Sequence, residues 1–355
     1  MRTRYFAILL GLNLALMACT TQAQVQLYGT VDASVGTVSA QPPGAPNAPI
    51  TKTTGVHSGT LQTSYFGMRG SEDLGGGLTA SFVLESFFRV DNGASGRFDG
   101  NPTSAGDLMW SRQAVVGLAG PWGEVRLGSN DNPMFVTMLL TNAMGTNSTF
   151  SPSFRQLFNT GARGVLEADT TIVNSVRYTS PRLGGVEFNV EGSPDEGRGS
   201  PNYAANVIYV DGPLLLSAAT QHVGYAPPPA STTLLVAPFM PLDTRRDQTT
   251  HMLGGAYGVG PVRVFGQYAR VRNDRTGTTD KMPDVGVTAC WGNGELQMAV
   301  GQDKTSGSLT ARRTTSTLGY VYDLSKRTAL YAFAMADRVS AGTAKSYVVG
   351  VRHRF

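Results

Sequence analysis

The segment that decides the fold reads VQLYGTVDASV and runs from Val25 to Val35. Its odd-numbered positions carry Val, Leu, Gly, Val, Ala and Val, whereas its even-numbered positions carry Gln, Tyr, Thr, Asp and Ser. Successive side chains of a β-strand point to opposite faces, so this alternation predicts a strand with one apolar and one polar face.

The same alternation recurs to the end of the chain in segments of about ten residues. Short turns rich in Gly, Pro, Asp and Asn join these segments in pairs, for example at 211–213, 259–261 and 292–294. Longer polar connections separate one pair from the next. Short turns at one end and long loops at the other are typical of an outer-membrane barrel. We therefore predict an all-β fold, a 16-stranded antiparallel transmembrane β-barrel.

The predicted strands span 25–35, 61–70, 78–90, 109–119, 124–129, 171–179, 186–192, 203–210, 214–224, 248–258, 262–273, 284–291, 295–304, 313–322, 328–339 and 347–355. The predicted long connections are 39–60, 91–108, 130–170, 193–202, 225–247, 274–283, 305–312 and 340–346.

The composition excludes several other classes of protein. Charged residues make up 15% of the chain, apolar residues 41%, and 43 of the 355 residues are Gly. These values exclude collagen, a coiled coil, a disulfide scaffold and a polar disordered chain. No apolar run beyond the N-terminus reaches the roughly 18–20 residues of a membrane-spanning helix. A soluble β-sandwich or propeller also alternates, but no blade repeat of about 40–50 residues is present, which favours the barrel.

The N-terminus is predicted to be a secretory signal peptide over residues 1–23, which leaves 24–355 as the barrel domain. A basic end and an apolar stretch precede the small-residue cleavage site Thr21–Ala23. An alternative is cleavage before Cys19, where the sequence loosely resembles a lipoprotein box. Cleavage after residue 23 removes Cys19 and leaves Cys290 alone, so we expect no intramolecular disulfide.

Four passages of the chain carry a family pattern. They are LYGTVD at 27–32, FGMRGSEDLGGGL at 66–78, LSKRTALY at 324–331, and a final strand that places Tyr347, Val349, Val351 and Phe355 on one face. In this order and spacing they resemble the trimeric general porins of Gram-negative bacteria, particularly those of β-proteobacteria. The resemblance spans nearly the whole mature chain. It implies a homotrimer in the outer membrane and a water-filled channel for passive diffusion of small hydrophilic solutes and ions.

The resemblance also implies partners outside the channel. The aromatic C-terminus at Phe355 resembles the signal that the outer-membrane assembly machinery reads, although His353 stands where an apolar residue or Tyr is commoner. Outer-membrane lipid and lipopolysaccharide are further expected partners. Arginines of outer loops and turns are interpreted as residues of that surface: Arg198, Arg245, Arg246 and Arg275.

The basic residues comprise 24 Arg and 5 Lys. Arg is always charged and pairs with carboxylates and phosphates through a planar fork. Arg69, Arg126 and Arg177 alternate with apolar neighbours, which predicts that they face the polar interior. The alternation slips around Arg112 and leaves its direction open. The resemblance places Arg112 at a pore-wall arginine of the general porins, so it is first among the four basic candidates for the pore wall.

The longest connection, 130–170, resembles the porin loop that folds into the barrel and narrows the channel. An ordered loop of this length is usually functional. Five apolar side chains are expected to dock it against the wall: Met134, Phe135, Phe150, Phe154 and Phe158. Its acidic residues are Asp131, Glu167 and Asp169, while Arg155 and Arg163 add positive charge.

Opposed charges on wall and loop would set a transverse field that orients dipolar solutes. The Arg-rich wall predicts a weak to moderate preference for anions. Two departures from the family pattern imply a thinner basic cluster. The pair Gly128–Ser129 stands where Gly-Arg is common, and Tyr65 stands at the position of another pore arginine.

An outer-membrane phospholipase or protease is the first alternative function, and an adhesin or structural anchor is the second. A hydrolase needs a nucleophile with a His and an orienting group, or paired acids. The histidines, His57, His222, His251 and His353, show no serine partner in a recognisable motif. Cys290 has no nearby Cys or His, and the Gly-rich turns end strands instead of preceding a helix. We predict no catalytic residue, no metal, no cofactor and no nucleic-acid partner.

Overall fold

A computed structural model describes residues 25–41, 49–96, 109–158, 170–194, 200–224 and 247–355. The predicted signal peptide and Cys19 lie outside the described residues. The strands are β1 (Gln26–Ala40), β2 (Thr51–Ser58), β3 (Tyr65–Gly75), β4 (Leu78–Phe87), β5 (Gln113–Gly120), β6 (Gly123–Asp131), β7 (Thr171–Thr179), β8 (Val186–Ser193), β9 (Asn202–Asp211), β10 (Leu214–Val223), β11 (Gln248–Val259), β12 (Val262–Asn273), β13 (Thr278–Trp291), β14 (Gly294–Gly307), β15 (Ala311–Asp323), β16 (Thr328–Val339) and β17 (Gly342–Arg354).

A single antiparallel sheet holds these 17 strands and closes on itself, because β1 pairs with β17. Two of the strands share one position in the wall. β2 pairs with β1 at 33–40, and β3 pairs with β1 at 26–30. The wall is therefore sixteen strands around, and the predicted 16-stranded antiparallel barrel is confirmed. Among the described strands, each of the sixteen positions around the wall is paired on both sides, as a wall in lipid requires, and β2 pairs with β1 alone.

The predicted strand bounds are wrong in the half of the barrel nearest the loops. β2 lies within 39–60, which we predicted to be a loop, and three other connections are shorter than predicted. These connections were predicted at 274–283, 305–312 and 340–346, and the structure has them at 274–277, 308–310 and 340–341. The reason is that segments such as Thr278–Lys281 carry polar residues on both faces. Sheet hydrogen bonds, with Lys281 opposite Lys304, extend the strand there without an apolar pattern.

The outer face is apolar over the middle of the wall, and aromatic rings border it near the short turns. In β17, Tyr347 and Val349 are more than half exposed outside, whereas the intervening Val348 is buried inside. The rings of Trp291 and Tyr320 are 5.8 Å apart, and the Tyr320 hydroxyl donates to the Trp291 carbonyl at 2.7 Å. Such a girdle is typical of the membrane–water interface of an outer-membrane barrel.

The connection between β6 and β7 lies inside the barrel and forms two helices in its described part, α1 (Pro133–Thr141) and α2 (Pro152–Phe158). Asn132 caps α1 by accepting from the Met134 N–H at 2.8 Å. Pro133 fits the first turn because no donor is needed there. Among the described residues, no helix is both long and apolar enough to cross a membrane.

Two apolar clusters fix this loop to the inner wall. One joins Met134, Met138, Phe154, Leu157 and Phe158 to Ala219, Met252, Ala269, Val271 and Met282 of β10–β13. The other includes Met144 and Phe150 on the loop and Tyr331, Phe333 and Met335 on β16. The Phe150 ring is fully buried, 5.5 Å from that of Phe333. Complete burial of one such side chain contributes about 1.5–3 kcal/mol, so the two clusters hold the loop in place.

Candidate functional site

The loop leaves an opening on one side of the barrel interior. α1 contacts β8–β12 and α2 contacts β13–β15, so the loop covers that part of the inner wall. The gap between loop and wall is lined by Gln62, Thr63, Phe87, Arg112, Asp131, Thr170 and Thr171 on one side and by Phe135, Leu139, Thr146 and Phe154 on the other. Phe135, which was expected to dock the loop, packs against Phe154 and Phe158 of the first cluster but is only partly buried and also borders this gap.

Arg112 is the cation of the gap. Its guanidinium forms an ion pair with Glu85 of β4 and lies over the Tyr65 ring, with Cζ 4.3 Å from the ring centroid. Glu85 also accepts from the Tyr28 hydroxyl at 2.5 Å. The Arg112 side chain is 25% exposed and that of Glu85 only 5%. The positive member of the pair therefore contacts the channel.

Two more basic candidates, Arg69 and Arg126, line a common hollow closer to the short turns. Arg69 donates to the Gln26 side-chain oxygen at 2.9 Å and lies 4.8 Å from the centroid of the Tyr28 ring. Arg126 forms an ion pair with Glu124 at 2.9 Å. Both guanidinium groups keep access to water on the inner wall.

The fourth candidate, Arg177, lies directly opposite Arg126 in the register of β6 and β7. It donates to the Asp131 backbone carbonyl and to the Asn189 side-chain oxygen, each at 2.9 Å. All four arginines thus belong to the part of the inner wall that the loop leaves open, but only Arg112 borders the gap itself.

Of the predicted acidic residues of the loop, only Asp131 lies within the described residues. Glu167 and Asp169 lie outside them, as does Arg163. Asp131 ends β6 and borders the same gap as Arg112. The structure therefore brings one predicted cation and one predicted anion to the gap.

A buried ion triad fastens α2 to the wall. Arg313 of β15 donates to both carboxylate oxygens of Asp337 on β16, at 2.9 and 2.5 Å. Arg155 of α2 donates to the same carboxylate at 3.3 Å. Burial, and secondarily the neighbouring Arg313, lowers the pKa of Arg155 to about 10, so Arg155 keeps its charge at neutral pH. The expectation that Arg155 adds positive charge to the channel is wrong, because its side chain is buried against the wall and pairs there with Asp337.

Comparison of the sequence with known proteins identifies the family of this chain. Residues 12–342 match the family model described as Gram-negative porin. The chain belongs to the Gram-negative porin family. Outer membrane porin protein 32 of Delftia acidovorans is 30% identical to this porin, over 95% of this chain and 96% of its own length.

Solved structures share the fold of this porin. The anion-selective porin from Comamonas acidovorans matches with a TM-score of 0.73 at 24% identity, over 94% of this chain and 100% of that one. An outer membrane protein of Vibrio cholerae in its trimer form matches with a TM-score of 0.65 at 14% identity, over 94% and 99% of the two chains. The predicted family, fold and outer-membrane location are confirmed, and the protein is an outer-membrane channel for small hydrophilic solutes and ions.

Sequence reasoning missed Glu85, although its signal was present. Phe82 and Leu84 are apolar residues of the predicted strand 78–90, and if they face lipid, strict alternation turns Glu85 inward. A carboxylate at an inward position one strand away from a pore-wall arginine is its natural partner. No partner of Arg112 was predicted.

The porin's loop also depends on glycines that the sequence analysis did not single out. A Cβ atom at Gly286 would lie 2.5 Å from the Cβ of Ala143, and one at Gly301 would lie 2.7 Å from the Cβ of Pro152. These distances are shorter than side chains tolerate. The absence of a side chain at both wall positions lets the loop backbone approach β13 and β14.

Gly286→Leu is expected to displace the loop toward the gap, because the wall cannot accept the new side chain. Overpacking of this kind costs about 1–3 kcal/mol, and we expect a smaller single-channel conductance with more frequent partial closures. Gly266→Leu is the matched control, since a Cβ at Gly266 meets nothing within 4 Å. Equal conductance of the two variants in planar bilayers would contradict this account of the loop contact.

The final strand lies where the barrel closes. Tyr347, Val349 and Val351 are exposed on the outer face, as is Phe355. The Phe355 N–H donates to the Gly29 carbonyl at 3.1 Å, and the Gly29 N–H donates to the Phe355 carbonyl at 3.2 Å. The face predicted as an assembly signal is therefore directed outward at the closing seam.

Proposed function

We propose that this porin conducts anions in preference to cations, with a weak to moderate selectivity. The observation that carries the proposal is a difference in exposure between the two signs of charge on the inner wall. Arg69 is exposed, and Arg112 and Arg126 are 25% and 31% exposed at their side chains. A permeating ion therefore meets guanidinium groups along the wall that the loop leaves open.

Four carboxylates of the wall are withdrawn from the channel, whereas Glu124 beside Arg126 is 23% exposed at its side chain. Asp32 and Asp337 are fully buried, and Glu85 and Glu191 are each only 4% exposed. Charges that contact water in a narrow low-dielectric channel act on a passing ion more strongly than charges enclosed by protein and paired there. This distribution supports anion selectivity even where acids and bases are close to equal in number.

The charges that line the gap support only a modest anion selectivity. Among its described lining residues, Arg112 is the one cation and Asp131 the one anion. We propose that these two groups create the transverse field, to which Glu167 and Asp169 of the loop contribute. Arg69, Arg126 and Arg177 then attract anions on the side of the short turns. The Comamonas acidovorans structure with the same fold is named as anion-selective, which agrees with this assignment.

Reconstitution into planar bilayers tests the selectivity. In a KCl gradient we expect a reversal potential of the sign given by chloride permeability exceeding potassium permeability, by a few-fold. Replacing chloride by a bulky organic anion should reduce the current more than replacing potassium by a bulky cation. A reversal potential of the opposite sign would reject anion preference and leave the channel function intact.

We further propose that the mature protein spans 24–355 after removal of residues 1–23, with 130–170 as its constriction loop, and that it assembles as a homotrimer. The trimer form named for the Vibrio cholerae structure supports the last point. The proposed partners are outer-membrane lipid and lipopolysaccharide on the outer wall and the assembly machinery at the C-terminal strand. That strand's signal residues are Tyr347, Val349, Val351 and Phe355.

The surroundings of the histidines favour a channel over a hydrolytic barrel. His251 and His353 contact Thr220 and Thr328 at 3.0 and 2.9 Å. His222 contacts Thr249 at 3.1 Å. These partners do not combine a nucleophile with an orienting acid. Hydrolysis assays with lipid and peptide substrates test this assignment. Protein that conducts ions should release neither fatty acids nor peptide fragments.

A further inference from the structure

A row of basic side chains crosses the outer face of the barrel near its loop end. It consists of His251, Arg270, Lys281, Lys304 and Arg312, one from each of the consecutive strands β11–β15. Each residue lies directly opposite the next in the strand register. All five are exposed, and their neighbours in sequence on β12–β14, together with Arg313 on β15, point inward and are buried. The five side chains therefore form one continuous outward row.

The row is unfavourable by itself. Residues directly opposite in an antiparallel pair have Cβ atoms about 4.5–5.5 Å apart, and like charges at such positions destabilise the sheet. Arg270, Lys281, Lys304 and Arg312 make three such contacts in succession. A bound ligand with several negative charges would relieve the repulsion between these side chains.

On the described strands around the row, the outer face supplies no such charges. In β13 and β14 the acids Asp280 and Asp303 immediately precede Lys281 and Lys304, so alternation turns the acids inward, where they are fully buried. Throughout 248–355, which the structure describes without a gap, the outward strand positions carry neither Asp nor Glu. A ligand from outside the protein could therefore supply the counter-charge.

The height of the row on the barrel identifies where that molecule lies. Lys281 is ten residues along β13 from Trp291, and Arg312 is ten residues along β15 from Tyr322. With about 3.3 Å per residue and a strand tilt of roughly 40°, the row lies about 25 Å above the aromatic rings. An apolar band of this height is what an outer-membrane barrel presents to lipid. The row therefore lies at the level of the headgroups of the outer leaflet.

We propose that this row binds the phosphate groups of a phosphorylated lipid in the outer leaflet. The inference rests on the lipid contact proposed above and assigns it to a site. Lys and Arg are strong donors to phosphate oxygens, and several of them on one face match a headgroup with more than one phosphate. Acyl chains of the same lipid would lie on the apolar wall below, where Val285 and Val300 are exposed. Because the protein itself supplies the cations, the contact needs no bridging metal ion.

Native mass spectrometry of the detergent-solubilised, assembled porin tests the proposal. The probes are bisphosphorylated lipid A and the same lipid after enzymatic removal of its phosphates. We expect binding of the phosphorylated form, retained in EDTA, and little binding of the dephosphorylated form. In Lys281→Gln/Lys304→Gln we expect about 25-fold weaker binding of the phosphorylated lipid, since each basic group near a lipid surface contributes roughly a factor of five.

The matched control removes two cations at the opposite end of the barrel, in the turn between β15 and β16. Lys326→Gln/Arg327→Gln should bind the phosphorylated lipid as the unaltered porin does. Reversal potentials should be unchanged in both variants, so this test fails or succeeds independently of anion selectivity. Four outcomes would overturn the proposal: equal binding of both lipids, equal weakening in both variants, full competition by inorganic phosphate, or dissociation of the Lys281→Gln/Lys304→Gln assembly into subunits.

Discussion

Arg112→Glu is expected to convert the anion preference of the channel into a cation preference. The substitution reverses one charge in the gap and leaves two carboxylates adjacent, because Glu85 loses its partner. A unit charge about 8 Å from a passing ion contributes about 0.5 kcal/mol even at the dielectric constant of water. Replacing a positive by a negative charge doubles this effect, so the permeability ratio should change roughly fivefold or more. Reversal potentials in a salt gradient measure this ratio directly.

Two further variants give this measurement its controls. Arg182→Glu makes the same change of charge in the turn between β7 and β8, where Arg182 is 52% exposed and pairs with Glu187, and should leave selectivity unchanged. Glu85→Gln removes the counter-charge of Arg112 and should increase the anion preference. If Arg112→Glu and Arg182→Glu give the same reversal potential, Arg112 does not act on the permeating ion.

The barrel could be predicted from the sequence because its decisive signal is local. The alternation over 25–35 recurs in strand after strand, because one side of the wall contacts lipid and the other contacts water. The same alternation predicted the inward direction of Arg177 and placed Tyr347 and Val349 on one face of β17. The burial of Met134 and Phe150 was expected from the resemblance of 130–170 to the porin constriction loop, since an apolar side chain on an internal loop has only the wall to contact.

The contacts that fix the site could not be predicted in this way. Arg155 and Asp337 are separated by 182 residues, and the sequence around either residue does not indicate that the other is its partner. Glu85 lies on β4 and Arg112 directly precedes β5, but their pairing depends on a register that alternation alone leaves open. The two acids Glu167 and Asp169 remain predictions, because they lie outside the described residues.

At the end of the barrel that carries the long loops, the strands were predicted too short for a related reason. Alternation of apolar and polar residues marks a strand only where one face meets lipid. Above the apolar band both faces are polar, as at Asp280 and Lys281, and the strand continues through backbone hydrogen bonds alone. The residues that extend the strands past the lipid are therefore the ones that form the basic row.

Asp337→Asn is expected to release α2 from the wall and make the channel unstable in its conductance. Asp337 is fully buried and is the shared partner of Arg155 and Arg313. Removal of one member of a buried ion pair leaves an uncompensated charge and costs about 3–5 kcal/mol. Most of this cost falls on the docking of the loop, because the barrel is closed by its own hydrogen bonds. Single-channel recordings should therefore be noisy, while the barrel remains assembled on native gels.

Comparison variants separate the ion triad from a general loss of charge. Asp323→Asn removes an exposed carboxylate at the end of β15 and should leave both conductance and thermal stability unchanged. Arg155→Met in the Asp337→Asn background removes the cation of α2 that has lost its carboxylate partner, and an apolar side chain of similar length fits the same space. We expect it to restore part of the lost thermal stability, since an apolar replacement avoids the cost of burying a charge. Quiet, fully open channels in Asp337→Asn alone would mean that the apolar clusters around Phe150 and Met134 hold the loop without the triad.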